Sequence, residues 1–138
     1  MKFKKLNSEK EVNVPLKKYY IDWEYKVSAP SFQVQQFLKP YWKSHCVLGE
    51  FRIPGSLLRI DITNINLRIC IEVSPNSVHG EYNEFFHKSR AGFLESIKRD
   101  EMKRKWVEEN KFKFVEVFDD DLEELSEKWF LEKYKIKL

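Results

Sequence analysis

Between residues 47 and 73 the chain alternates short apolar runs with turn chemistry, and that rhythm sets the expected fold. The runs cover residues 47–53, 57–63 and 67–73. Pro54-Gly55 closes the first, and Asn64-Ile65-Asn66 joins the second to the third. Connections this short make neighbouring strands antiparallel, so the three runs predict a β-meander. Ahead of them, Ser31 can cap a helix reaching roughly to residue 44, with Phe32, Phe37 and Leu38 as apolar positions and Pro40 weakening its second half. Behind them, residues 83–110 read as a long helix with Gly92 as a breaking point. Residues 112–118 form a fourth strand that returns across that helix and therefore runs parallel to the third. Asp119, Asp120 and Asp121 then cap a last helix reaching about residue 134, where acids suit the helix dipole. The order helix, three strands, helix, strand, helix predicts an α/β sandwich around a mixed sheet.

The ends read differently. Residues 1–13 are polar and lysine-rich and are expected to form a loose arm. The aromatic stretch 17–27 reads as a strand or an extended cover, so residues 1–30 make an N-terminal arm or cover on a single domain spanning 1–138.

Strand alternation decides which side chains can meet. In the second run Leu58, Ile60 and Ile62 share one side, leaving Arg59, Asp61 and Thr63 on the other. In the third, Ile69, Ile71 and Val73 oppose Arg68, Cys70, Glu72 and Ser74. Asp61 and Glu72 thus sit on neighbouring apolar strands, each away from its β-branched stripe. If the polar sides coincide, Glu50 joins them. Carboxylates this close repel unless a cation lies between them, and hard oxygen ligands suit Mg²⁺. The bland reading has the same weight on pattern alone: the acids pair with Arg52, Arg59 and Arg68 on a solvated face.

Composition narrows the class without choosing the chemistry. A chain of 138 residues, 42% hydrophobic and 15% aromatic, can bury a core without disulfides or a structural metal. Its two cysteines, Cys46 and Cys70, lack metal-ligand spacing and read as reduced thiols of an intracellular, cytoplasmic protein. No apolar stretch approaches membrane-spanning length, and the lysine-rich start precedes no apolar segment, so neither a membrane partner nor a signal peptide is expected. A net charge of +3 permits a nucleic-acid partner without demanding one.

The segment 50–61, then Ile71-Glu72-Val73, then His79 resembles the PD-(D/E)XK nuclease superfamily, and within it the small endonucleases related to very-short-patch repair enzymes. Arg99-Asp100-Glu101-Met102-Lys103, Trp106 and Phe114-Val115-Glu116-Val117 continue the likeness, which covers roughly residues 31 to 125. It implies a restriction-endonuclease-like α-β-β-β-α-β core with an extra C-terminal helix. It also implies a Mg²⁺ (or Mn²⁺) site held by Asp61, Glu72 and the Val73 carbonyl, with Glu50 as a further acid. The metal would polarise a scissile DNA phosphate and activate water. The family's lysine would fall at Ser74, and Gln35 stands nearest to the Glu often carried by the first helix. Lys103, from the long helix, or His79 could complete the catalytic set. Asp100 either pairs with Arg104 or orients Lys103 or His79. By helical phase Trp106 lies opposite Ile97 and is expected to pack under the last helix.

The cations Arg52, Arg59, Lys88, Arg90 and Arg99 are the candidate phosphate contacts, although charge runs are more often solvated faces. The leading expectation is a Mg²⁺-dependent endonuclease acting on DNA. Branched-junction resolution, mismatch nicking and site-specific cutting all stay open, and the first would require a homodimer. The alternative is a non-catalytic DNA-binding or protein-interaction module on a degenerate nuclease fold.

Overall fold

The structure is a computed structural model that describes residues 1–25, 27–74 and 90–138, the side chains of Arg90 and Phe93 excepted. The expected loose arm is instead an antiparallel hairpin of β1 (Lys2–Lys4) and β2 (Glu11–Asn13). Its cause is a single alternation, Lys-Phe-Lys, which turns Phe3 inward until only 2% of it is exposed. The Phe3 ring lies 5.2 Å from that of Phe51 and 5.7 Å from that of Trp106. Polar bonds hold the hairpin on the same side: Trp106 Nε1 donates to the Lys4 carbonyl at 2.7 Å, and the Lys4 N–H donates to Asn110 Oδ1 at 2.9 Å.

Helix α1 (Ala29–Trp42) begins after Ser28, with Pro30 in its first turn, and not at Ser31. It also runs through Pro40. The proline is exposed, whereas Leu38 and Trp42 on either side of it are fully buried, so packing of the last turn overrides the local defect.

The main sheet is ordered β3 (Val47–Arg52), β4 (Arg59–Asn64), β5 (Ile69–Ser74), β6 (Lys113–Phe118). The first three strands are antiparallel neighbours, and β6 runs parallel to β5, as the short loops and the long return predict. The architecture is therefore mixed α/β. Helix α2 (Arg90–Glu109) precedes β6, and α3 (Glu127–Tyr134) follows it. The aspartates at 119–121 open a short 3₁₀ turn, Asp119–Glu124, and not the last helix. That helix starts only after Ser126, whose hydroxyl accepts the Trp129 N–H at 3.0 Å.

Two cores fill the two sides of the sheet. Val34, Leu38 and Trp42 of α1 pack with Ile62, Ile69, Ile71, Val115 and Phe130. Phe3, Trp106 and Val107 pack with Leu48, Phe51, Ile60, Cys70 and Phe114. Trp106 thus packs under the N-terminal hairpin and not under the last helix. Ile60 and Ile62, expected on one face, belong to different cores. The change of side coincides with a gap in the β3–β4 ladder: the pairs Gly49–Ile62 and Phe51–Ile60 form, but Glu50, which has φ +48°, and Asp61 between them do not pair. The β3–β4 turn beyond is braced from outside. Gly55 has φ +82°, a Cβ there would meet Lys5 at 3.3 Å, and the Leu6 N–H donates to the Pro54 carbonyl at 2.8 Å.

Cys46 and Cys70 are both free thiols, and burial pushes that of Cys70 up to about 12. Among the described residues no helix is long and apolar enough to cross a membrane.

The hairpin makes a direct prediction. Phe3→Ala should cost about 3–5 kcal/mol in denaturant unfolding, the range for an aromatic lost from a packed core. A cost within about 0.5 kcal/mol, typical of surface positions, would show a detached arm instead.

Candidate metal centre

The β4–β5 ladder ends at Ile62–Ile71, so the next facing residues are Asp61 and Glu72. There the side chains take over the ladder's bonding. The Asp61 N–H donates to Glu72 Oε1 at 3.1 Å, and the Val73 N–H donates to Asp61 Oδ2 at 2.8 Å. Each strand thus fixes the carboxylate of the other. From α2, Lys103 Nζ donates to Glu72 Oε2 at 2.9 Å. Lys103 reaches inward because it lies one turn before Trp106, which is anchored in the second core.

Burial decides the electrostatics. Glu72 is only 8% exposed. Desolvation is the largest influence on both acids and raises both above the ordinary carboxylate range. For Glu72 the neighbouring charge of Asp61 adds to the rise and Lys103 opposes it. For Asp61 the Val73 N–H pulls down, Glu50 pushes up and Lys103 pulls down. One ammonium offsets part of the repulsion between the buried Glu72 and the partly buried Asp61, and the remaining negative charge favours a cation or retained protons.

The other candidates fall into three groups. Glu50 is exposed and stands where β3 leaves extended geometry, yet its charge is still felt at Asp61. Among the described residues no three His, Cys, Asp or Glu side chains converge as a metal-binding set, so Glu50 is not brought in as a third ligand. The contact that Val73 makes runs through its N–H. Ser74 ends β5 opposite Phe118, leaving Lys103 as the ammonium next to Glu72. Asp100 is half-buried and raised by that burial, with Lys103, Arg99 and Arg104 pulling it down. The expected ion pair between Asp100 and Arg104 does not form: Arg104 pairs with Glu116 and lies over the Phe114 ring. Gln35 is buried on α1, on the other side of the sheet from α2.

Arg52 and Arg59 face each other across the exposed end of the β3–β4 hairpin, and Arg52 Nε donates to the Ser56 carbonyl at 2.8 Å. Arg99 is exposed on α2 and donates to Ser96 Oγ. His79 and Lys88 lie outside the described residues, as does the side chain of Arg90. Glu116, which sequence reasoning does not single out, faces Glu72 in the parallel register. Counting from Cys70–Phe114 along the two strands would have found it.

No family model and no solved structure matches the chain. It is 28% identical over 92 residues to Uncharacterized protein 033L of Invertebrate iridescent virus 3, an alignment covering 67% of this chain and 47% of that protein. The chain spans about half the length of this curated relative.

Two carboxylates are a donor set of the kind Mg²⁺ takes, since it commonly binds one or two and completes its shell with water and substrate phosphate. Here Glu72 Oε1, Glu72 Oε2 and Asp61 Oδ2 each also accept a hydrogen bond. The raised acids also set a pH dependence. Without metal, the folded chain binds more protons than the unfolded chain between the ordinary carboxylate pKa values and the raised ones. The stability contributed by the pair is therefore full below the ordinary range and is lost as pH rises through the raised values. Asp61→Asn keeps an acceptor for the Val73 N–H and removes one charge. Its melting temperature should exceed that of the parent near about pH 8, with the gap closing towards about pH 4. A gap that is absent or widens on acidification in metal-free melts would contradict the burial argument.

Proposed function

We propose that the protein is a Mg²⁺-dependent endonuclease acting on DNA, with a restriction-endonuclease-like core. One observation carries the reading: a buried and a partly buried carboxylate on adjacent strands, locked crosswise to each other's backbone, with an ammonium from a separate helix against the buried one. Asp61 and Glu72 are the residues that would hold the ion. Bound there, Mg²⁺ supplies Lewis-acid polarisation of a phosphate and lowers the pKa of water. Lys103 provides positive charge beside Glu72, where negative charge builds on the phosphoryl oxygens during attack. It does the work that a lysine at position 74 would do.

Arg52 and Arg59 support the DNA reading. Like charges directly opposite on two strands destabilise a hairpin. Among the described residues neither arginine has a carboxylate partner, and Arg59 is two residues from Asp61 on the same strand. A phosphate backbone passing the metal centre would neutralise both. The non-catalytic alternative keeps one argument, the two-carboxylate set without a third acid among the described residues.

Asp61→Ala should abolish Mg²⁺-dependent cleavage of duplex, nicked and branched DNA while the far-UV circular dichroism stays native. Cleavage retained by that variant sinks the assignment. Lys103→Met should lower kcat by about 10²-fold or more, the scale of one lost charge-stabilising group, with DNA binding preserved. Arg52→Gln and Arg59→Gln should each reduce the slope of log affinity against log salt by about 1. An unchanged slope removes the hairpin from the DNA path.

A further inference from the structure

On the α1 side of β3, next to Glu50, lies a cavity of about 200 Å³. Its walls include Tyr19, Tyr20, Tyr25, Gln35 and Glu50. Tyr20 and Tyr25 are 58% and 66% exposed, an unusual display for two aromatics so close in sequence. Gln35 is the opposite case: it is 3% exposed, and its buried Oε1 has no hydrogen-bond partner among the described residues. A buried amide oxygen left unpaired costs about 1–3 kcal/mol, which a bound donor recovers.

The cavity is built before any ligand arrives. The strap carrying the tyrosines is tied to β3 by the Ile21 N–H donating to the Val47 carbonyl at 2.9 Å. It is tied to α1 by Gln36 Nε2 donating to the Trp23 carbonyl at 2.6 Å and by an ion pair of Lys39 with Glu24. Gly49 lets the strap lie close, since a Cβ there would meet Ile21 at 3.3 Å. The cavity is smaller than the roughly 300–1,000 Å³ of sites for drug-sized ligands, which fits one flat ring system better than a whole nucleotide. An amide carries both a donor and an acceptor, the pair that the edge of a nucleobase presents. Aromatic faces supply stacking, which accepts any base. Glu50 joins this cavity to the Asp61–Glu72 centre, because it stands opposite Asp61 between the pairs Gly49–Ile62 and Phe51–Ile60.

We propose that this cavity receives one unstacked nucleobase of the strand whose phosphate lies at the Asp61–Glu72 centre, stacked by Tyr20 or Tyr25 and read by the Gln35 amide. The proposal rests on the nucleic-acid reading of that centre, and its consequence is a substrate with a base free to leave the helix: a mismatch, a branch or a single strand. The lining acids Asp22 and Glu50 outweigh the one lysine, Lys18, and so favour an uncharged base over a phosphate in the cavity.

The test uses the full chain without metal, so that it does not depend on cleavage. Adenosine, guanosine, cytidine and thymidine are titrated while the side-chain amide resonances of Gln35 are followed, with ribose 5-phosphate as the control. A saturable shift with at least one nucleoside and none with the sugar phosphate is expected. No shift with any nucleoside, or an equal shift with the sugar phosphate, overturns the proposal. A second arm measures binding of an oligonucleotide carrying one abasic residue at each position in turn. One position should cost the parent chain roughly tenfold in affinity and cost the Tyr20→Ala/Tyr25→Ala variant, altered only at exposed side chains, nothing. Equal costs in both proteins at every position overturn it. Failure of Mg²⁺-dependent cleavage would strike the nuclease reading alone, because neither arm requires the strand to be cut.

Discussion

Two carboxylates on adjacent strands, one buried and one partly so, are the constraint around which the sheet is organised. The β4–β5 ladder could have continued through Asp61 and Glu72. Instead its main-chain bonds stop at Ile62–Ile71, and side-chain oxygens accept the N–H groups of Asp61 and Val73. That substitution satisfies two backbone donors and freezes two acids in one geometry, which an apolar pair at the same register could not do. The departure of β3 from the ladder at Glu50 belongs to the same region. A non-glycine residue at positive φ stores strain, and such strain gathers where a site is being shaped.

The helix on one side of the sheet answers this charge. Lys103 reaches Glu72 across 31 residues of chain, and α2 is held by Trp106, whose indole is bonded to Lys4 across 102 residues. The other side of the sheet is apolar: α1 presents Val34, Leu38 and Trp42 to it, and Gln35 Oε1 and Trp42 Nε1 are buried there without a hydrogen-bond partner among the described residues. The two sides therefore divide the work between charge and shape.

Much of this was legible in the residue pattern. Period-two alternation placed Asp61 and Glu72 on neighbouring strands, and loop lengths alone ordered the sheet and set the direction of β6. Helical phase put Lys103 beside the inner stripe of its helix, from which it reaches Glu72. What escaped had identifiable causes. Phe3 is one apolar residue among lysines, too short a signal to mark a strand until its partners on Phe51 and Trp106 are known. The division of Ile60 and Ile62 between two cores coincides with the missing pair of Glu50 and Asp61, which no period-two pattern records. Ser126 as the true cap of α3 was hidden by three aspartates that look like a better one. Asp100 and Arg104 are four apart on a helix, but Glu116 arrives from β6 and takes the arginine.

The long reach of the bond between Lys103 and Glu72 makes the centre a reporter of completed assembly. Asp61 and Glu72 are neighbours in a local meander and can meet early, since closing a short loop costs little entropy. Their ammonium arrives only when α2 docks, and α2 docks against a hairpin made from the first residues of the chain. A partly folded molecule would hold the two acids without the ammonium that answers them. The contact between Lys103 and Glu72 is thereby tied to both distant segments being home, so it reads out the closure of the whole chain.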